Sequence, residues 1–143
     1  MRKILFVSLI IIFIITLACT QQVKNEEDEK KIIDKIEIYH IHEVPECYSC
    51  MISGQYAEEV LNTSFSDELA SGKITYKDVD KANPENSEVI KKYDVTEGYS
   101  GIYIGVYSNK GFEYKEYTVM SNLDNKEAFM QYFKNYIATL LGG

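Results

Sequence analysis

The chain has 143 residues, of which 45% are apolar and 13% aromatic, a composition that provides for one hydrophobic core and excludes a wholly disordered chain. Fifteen lysine and arginine residues against 22 aspartate and glutamate residues give a net charge of −7. Because such a surface repels phosphate backbones, we expect no nucleic-acid partner.

Residues 1–18 are typical of a secretory signal peptide. Arg2 and Lys3 precede residues 4–18, which are apolar apart from one serine and one threonine. This run is shorter than the ~20 residues with which a helix spans a bilayer, which favours cleavage over a permanent anchor. The following Leu17-Ala18-Cys19 resembles the lipobox of prokaryotic lipoproteins, which implies a lipid on the Cys19 thiol. An uncleaved anchor helix is the alternative, and both alternatives place the rest of the chain on the extracytoplasmic side of the cell membrane.

The next segment predicts a tether. Residues 20–35 are polar and crowded with charge, and they contain few residues that form a core. A flexible chain of this length spans roughly 20 Å. We therefore divide the protein into a signal peptide at 1–18, a lipidated cysteine and charged tether at 19–35, and a folded domain at 36–143.

The first half of the domain predicts strand, helix, strand. Ile36, Ile38 and Ile41 lie in a short segment of β-branched and aromatic residues, as in a strand. A helical spacing of apolar residues then runs from Ile52 to Leu61, directly after a pair of cysteines. Residues 73–79 (KITYKDV) predict a second strand.

The second half predicts a short helix, a hairpin and a long helix. Asn83-Pro84-Glu85 supplies a cap residue and a proline suited to the first helical position. Residues 102–107 and 113–120 are rich in tyrosine and β-branched residues, and the 108–111 segment (SNKG) between them suits a tight reversal. Asp124, with Glu127 three residues later, predicts a capped start for the last helix.

This order of elements predicts an α/β fold with a mixed four-stranded sheet and helices on both faces. Helices separate the first three strands, which predicts parallel crossovers, whereas the final hairpin predicts an antiparallel edge.

Cys47 and Cys50 form a C-x-x-C pair between the first strand and the first helix. A cysteine near the N-cap faces unsatisfied backbone N–H groups and the positive end of the helix dipole, which stabilise a thiolate. The second cysteine lies one turn further and can close a disulfide, so the first is the nucleophile and the second resolves the mixed disulfide. Met51 stands where haem attachment would need histidine, which excludes that use of the motif.

With these cysteines, the chain resembles thioredoxin-like proteins over nearly all of residues 36–141. The segments that carry the resemblance are 71–80, 84–86 and 91–95. More narrowly, residues 39–50, 67–69, 71–73 and 126–129 resemble a nitrophenyl compound nitroreductase subunit family. The resemblance implies a thioredoxin-like three-layer sandwich with Cys47 and Cys50 as the redox pair. The sequence has no G-x-G-x-x-G motif for a flavin or nicotinamide, so we expect no cofactor.

The resemblance also implies a substrate groove before the third strand, at Gly98, Tyr99 and Ser100. Thioredoxins carry a cis-proline in this segment, whereas residues 97–101 here contain no proline. Gly98 and Gly101 would still let the backbone approach the sulfur atoms closely.

Three functions remain open from the sequence. The first is a thiol-disulfide oxidoreductase or electron carrier whose partner is a protein thiol or disulfide. The second is a zinc or copper carrier, because His40 and His42 share a strand face and, with Cys47 and Cys50, would supply two nitrogen and two sulfur ligands. The third is a noncatalytic interaction module with a structural disulfide.

Overall fold

The computed structural model of the protein describes residues 30–96, 99–117 and 122–142. The expected signal peptide, Cys19 and the tether up to residue 29 lie outside the described residues. Within the described ranges, no helix has the length and apolar character needed to span a bilayer.

The described residues form a mixed α/β domain, as the sequence predicts. In chain order its elements are β1 (Ile33–His42), α1 (Tyr48–Ser64), α2 (Ser66–Ala70), β2 (Ile74–Asp80), a 3-10 turn (Pro84–Asn86), α3 (Ser87–Lys92), β3 (Gly101–Ser108), β4 (Gly111–Tyr117) and α4 (Lys126–Gly142). The strands form one four-stranded sheet in the order β2-β1-β3-β4.

The direction of β3 differs from the prediction. β2 is parallel to β1, but β3 is antiparallel to β1 and also to β4. The reason lies in the length of α3, whose six residues advance only about 9 Å. An eight-residue strand spans about 26 Å, so α3 does not return the chain to the far end of the sheet. β3 therefore begins near the end of β2 and runs back along β1.

β1 begins at Ile33, three residues before the strand predicted from the sequence, and so includes the end of the segment assigned to the tether. The side chain of Asn109, in the β3–β4 turn, holds the chain just before this strand. Its Oδ1 accepts a hydrogen bond from the Ile32 N–H at 2.9 Å, and its Nδ2 donates to the Lys30 carbonyl oxygen at 3.2 Å. The tether therefore joins the domain at the hairpin end of the sheet.

The main core lies on the sheet face that α1 and α4 cover. Ile36 and Ile38 of β1 and Ile104 of β3 are buried there, together with Phe129 and Phe133 of α4. The opposite face holds a second cluster of Tyr39, Ile41, Val79, Tyr93 and Tyr103, and Val89 and Ile90 of α3 pack against it. Helices therefore lie on both faces of the sheet.

Of the two helix caps predicted from the sequence, one agrees with the structure and the other differs. Asn83 Oδ1 accepts a hydrogen bond from the Glu85 N–H at 3.0 Å, which confirms the predicted cap. At α4 the capping side chain is Asn125, whose Oδ1 accepts from the Ala128 N–H at 3.0 Å, so the prediction of Asp124 is wrong by one residue. Either residue type caps a helix, and the turn that precedes α4 selects between them.

Candidate functional site

The two cysteines lie at the start of α1, where the sequence predicts them. Their sulfur atoms form a disulfide, with the two Cα atoms 5.2 Å apart. Cys47 is the N-cap residue and has an extended backbone, and its Sγ accepts a hydrogen bond from the Cys50 N–H at 3.2 Å. An N-cap acceptor satisfies one of the backbone N–H groups that a helix leaves without partners, so the sulfur replaces the usual oxygen.

The disulfide lies at the surface. Cys47 is exposed and Cys50 is half-buried. Tyr48, between them, is 75% exposed, and the Ser49 Oγ lies 3.3 Å from the Cys47 Sγ. A partner molecule approaching this end of α1 therefore meets Cys47 first.

Lys81 links the loop before the cysteines to the segment that leads into β3. Its Nζ lies 2.9 Å from the Glu43 Oε1 and donates a hydrogen bond to the Tyr99 carbonyl oxygen at 2.9 Å. Its backbone N–H donates to the His42 carbonyl oxygen at 2.9 Å. A cavity of about 380 Å³ lies beside this lysine, between Val44 on one side and Val95 on the other. The two segments therefore meet at one edge of the domain.

The predicted groove residues are only partly described. Tyr99 is 59% exposed and Ser100 is half-buried, whereas Gly98 lies outside the described residues. Tyr99 lines a second cavity, of about 330 Å³, together with Tyr103 and Tyr114. The link through Lys81 places Tyr99 near the loop that precedes the cysteines, and the assignment of residues 98–100 as a substrate groove stays a prediction.

His40 and His42 lie on one face of β1, as their spacing predicts. Their rings stack with centroids 5.3 Å apart. The His40 ring is buried, with its Nδ1 2.8 Å from the Asp78 Oδ1 and its Nε2 3.0 Å from the Cys50 carbonyl oxygen. The His42 Nε2 lies 3.3 Å from the same Asp78 oxygen. The Cys50 backbone therefore contacts the buried His40 ring, on which the half-buried His42 ring stacks.

Gly54 of α1 makes room for the His40 ring. A Cβ atom at this position would lie 2.4 Å from the His40 Nδ1, closer than side-chain atoms approach each other. The ring therefore packs directly against the backbone of the helix.

Sequence reasoning missed Asp78 and Glu46 as members of this cluster. Asp78 is opposite His40 in the register of β1 and β2, and no sequence pattern gives the register of two parallel strands. The Glu46 carboxylate approaches both histidines, with 3.1 Å between its Oε1 and the His40 Nε2 and 4.0 Å between its Oε2 and the His42 Nδ1. Its position directly before Cys47 was the one signal available from the sequence.

The nitrogen and sulfur ligand set expected for a metal carrier is not assembled in this form of the protein. Both sulfur atoms are joined in the disulfide. His40 contacts Cys50 through the carbonyl oxygen of that residue, and Asp78 completes the group of donors around the two histidines.

A separate charged network lies on the opposite face of the sheet. Glu37 of β1 is buried, and its carboxylate accepts hydrogen bonds from Lys92 at 2.6 Å, from Lys35 at 3.0 Å and from Tyr107 at 3.1 Å. Burial alone would raise the pKa of Glu37, but the hydrogen bonds from these side chains outweigh it and lower the pKa to about 2. The Glu37 carboxylate therefore stays ionised inside the fold.

No protein-family model matches this chain, and no curated protein matches it.

Proposed function

We propose that this protein is a membrane-anchored, extracytoplasmic thiol-disulfide oxidoreductase or electron carrier with a thioredoxin-like fold. The observation that carries the proposal is the Cys47–Cys50 disulfide at the N-terminus of α1, with Cys47 exposed. A disulfide that only stabilises the fold gains nothing from a position at a helix N-terminus. A nucleophilic thiolate is stabilised there by the backbone N–H groups and the helix dipole.

The exchange needs no group beyond the two cysteines and a partner dithiol. A partner thiolate attacks the Cys47 Sγ, the bond between the two sulfur atoms breaks, and its electron pair leaves on the Cys50 Sγ, which takes up a proton. The second partner thiolate then attacks the partner's sulfur in the mixed disulfide, and Cys47 leaves as a thiolate and is protonated. Two electrons and two protons pass to this protein, and the reverse sequence oxidises its dithiol.

The surroundings of Cys47 favour this role. α1 has 17 residues, and its first turn contains no acidic residue, while the carboxylate of Glu46, directly before Cys47, lies against the two histidines. The Cys50 N–H, which already donates to the Cys47 Sγ, is positioned to stabilise the Cys47 thiolate that leaves when the mixed disulfide is resolved.

The arrangement of elements also supports the thioredoxin-like assignment. A strand, a helix and a parallel strand are followed by a short helix, an antiparallel hairpin and a last helix, with β1 inside the sheet. This arrangement and the motifs quoted above are similar to thioredoxin-like proteins. Membership of the nitrophenyl compound nitroreductase subunit family stays a proposal from those motifs.

The described chain enters the domain at one end of the sheet, and the disulfide lies at the other end. The chain joins the domain beside Asn109, and the cysteines follow the other end of β1, whose ten residues span about 33 Å. With Cys19 in the membrane, the tether therefore attaches to the end of the domain that is remote from Cys47. The disulfide is free to meet a partner protein.

Trapping of the mixed disulfide tests the proposal. In Cys50→Ser the resolving thiol is absent, so we expect partner proteins to accumulate in disulfide-linked adducts through Cys47 that dithiothreitol releases. Cys47→Ser is the matched control, and we expect it to give far fewer adducts because its remaining sulfur is less exposed. Equal absence of adducts in both variants would contradict exchange and favour a noncatalytic module with a structural disulfide.

A further inference from the structure

Two histidines and an aspartate converge beneath the disulfide. One ring nitrogen from each histidine and an Asp78 carboxylate oxygen all lie within 4.8 Å of one another. Only 4% of the His40 side chain and 12% of the His42 side chain are exposed. Among the described residues, the ion-pair partners of Asp78 are these two histidines.

We propose that His40, His42 and Asp78 form a binding site for a divalent transition-metal ion of the zinc class, distinct from the cysteine sulfur atoms. The Asp78 Oδ1 lies 2.8 Å from the His40 Nδ1 and 3.3 Å from the His42 Nε2. Ligand atoms bound to one ion at about 2.0–2.1 Å lie roughly 2.9–3.4 Å apart in octahedral or tetrahedral geometry. The two distances from Asp78 are close to this range, and the histidine nitrogens of the cluster lie within 4.8 Å of each other.

The second nitrogen of each ring has the partner that a metal-bound histidine requires. A ligating histidine donates its other N–H to a carbonyl or carboxylate oxygen, which fixes the tautomer. The His40 Nε2 lies 3.0 Å from the Cys50 carbonyl oxygen, and the His42 Nδ1 lies 3.4 Å from the Glu43 carbonyl oxygen. The His40 Nδ1 and the His42 Nε2 both face the Asp78 carboxylate, and a metal ion between them would take the place of a ring N–H hydrogen.

Glu46 lies on the opposite side of the two rings from Asp78, where an outer carboxylate would support the ligands. Its Oε1 is 3.1 Å from the His40 Nε2, yet this oxygen is buried without a hydrogen bond from the described residues. The single Nε2 hydrogen is directed at the Cys50 carbonyl oxygen instead. A buried carboxylate oxygen without a hydrogen bond costs free energy, and a cation bound to the two rings would compensate its charge.

A path from solvent leads to the donors. A cavity of about 120 Å³ borders His40, Asp78 and Gly54. The Asp78 side chain is 62% exposed. Three protein ligands and access to solvent leave room for water on the ion, and two imidazoles with one carboxylate suit zinc and its neighbours in the first transition row.

Titration of the oxidised full-length protein, free of metal and of any affinity tag, tests this site. We expect Zn²⁺ to bind at one ion per chain by isothermal titration calorimetry, because the ligands do not include the sulfur atoms. The Asp78→Asn variant keeps the size of the exposed side chain, and we expect its affinity for Zn²⁺ to be lower by about tenfold or more. Asp80→Asn, which removes the same charge two residues further along β2, is the matched control and should bind like the wild type.

A His42→Asn variant and the spectrum of the Co²⁺ complex complete the test. We expect His42→Asn to weaken Zn²⁺ binding as Asp78→Asn does, while its circular dichroism stays that of the wild type. The Co²⁺ complex should show d–d bands without a thiolate charge-transfer band. Absence of Zn²⁺ binding, equal affinities of Asp78→Asn and Asp80→Asn, or a thiolate band in the oxidised protein would each overturn the assignment.

Discussion

At the scale of single residues, Gly54 of α1 lies directly against the buried His40 ring. Glycine inside a helix normally costs about 0.5–1 kcal/mol relative to alanine. Here the added Cβ would lie 2.4 Å from the His40 Nδ1, and the ring is buried. The usual gain from alanine is therefore outweighed by overpacking.

We expect Gly54→Ala to lower the free energy of unfolding by about 1–3 kcal/mol, the usual cost of an overpacked core. Urea denaturation of the variant and the wild type measures this difference in the free energy of unfolding. Gly142→Ala is the control, because a Cβ atom there meets nothing within 4 Å, and its free energy of unfolding should stay close to that of the wild type. A more stable Gly54→Ala protein would contradict the contact between the ring and the helix.

Because of Glu37, we expect the free energy of unfolding of the protein to vary with pH in the acid range. Its pKa falls from 4.5 to about 2 in the fold, since the hydrogen bonds from Lys92, Lys35 and Tyr107 outweigh the opposing effect of burial. A carboxyl group with a lowered pKa stabilises the fold above its unfolded pKa, and this stabilisation is lost as the pH falls through the folded value. The relevant window therefore runs from about pH 4.5 down to pH 2.

Over that window we expect the wild type to lose about 1–2 kcal/mol more of its free energy of unfolding than Glu37→Gln loses, because solvent screening reduces the full effect of the pKa shift. Chemical denaturation at a series of pH values measures the difference. Parallel curves for the two proteins would show that the hydrogen bonds to Glu37 do not lower its pKa as described.

At the scale of secondary structure, the start of α4 offers two neighbouring residues that could cap the helix, Asp124 and Asn125. The Asn125 Oδ1 accepts a hydrogen bond from the Ala128 N–H at 3.0 Å. We expect Asn125→Ala to cost about 1 kcal/mol of stability, and Asp124→Ala to stay within about 0.5 kcal/mol of the wild type. Thermal denaturation of both variants measures the two costs, and a larger cost at Asp124 would restore the cap predicted from the sequence.

The elements were largely predictable because each has a local signal. Alternating isoleucines indicate β1, the Asn83-Pro84 pair indicates the start of the turn before α3, and the 108–111 segment indicates the hairpin. The direction of β3 was not predictable from such signals, because it depends on how far the chain travels between two strands. α2 was missed because it is a five-residue helix without a buried residue.

The candidate site was predictable where its residues are close in the sequence. The C-x-x-C spacing placed Cys47 at the helix N-cap, and the two-residue spacing of His40 and His42 placed both rings on one strand face. Asp78 comes from another strand, and its contact with His40 exists only through the register of β1 and β2. Contacts that depend on the pairing of distant segments leave no pattern in a single sequence.

At the scale of the whole molecule, the two ends of the sheet have different roles in the proposed function. The chain enters the sheet beside the Asn109 turn, and the disulfide follows the other end of β1. A protein anchored through Cys19 would therefore keep Cys47 accessible while it remains at the membrane.

Replacement of Cys19 tests the anchor. We expect the wild type to incorporate a labelled fatty acid and to sediment with membranes, and we expect Cys19→Ala to do neither, because its leader would no longer be processed as that of a lipoprotein. Cell fractionation together with metabolic labelling measures both properties. Cys19→Ala protein that still sediments with membranes would favour an uncleaved anchor helix instead.

The central claim is that the Cys47–Cys50 disulfide exchanges with partner thiols rather than bracing the fold. Equilibration with glutathione buffers of known ratio gives the reduction potential of the pair, and alkylation of the reduced protein identifies the more reactive cysteine. We predict a potential between about −270 and −120 mV, the range of exchange proteins, with Cys47 alkylated first. A potential below about −300 mV with Cys47 unreactive would contradict the account and assign the disulfide a structural role.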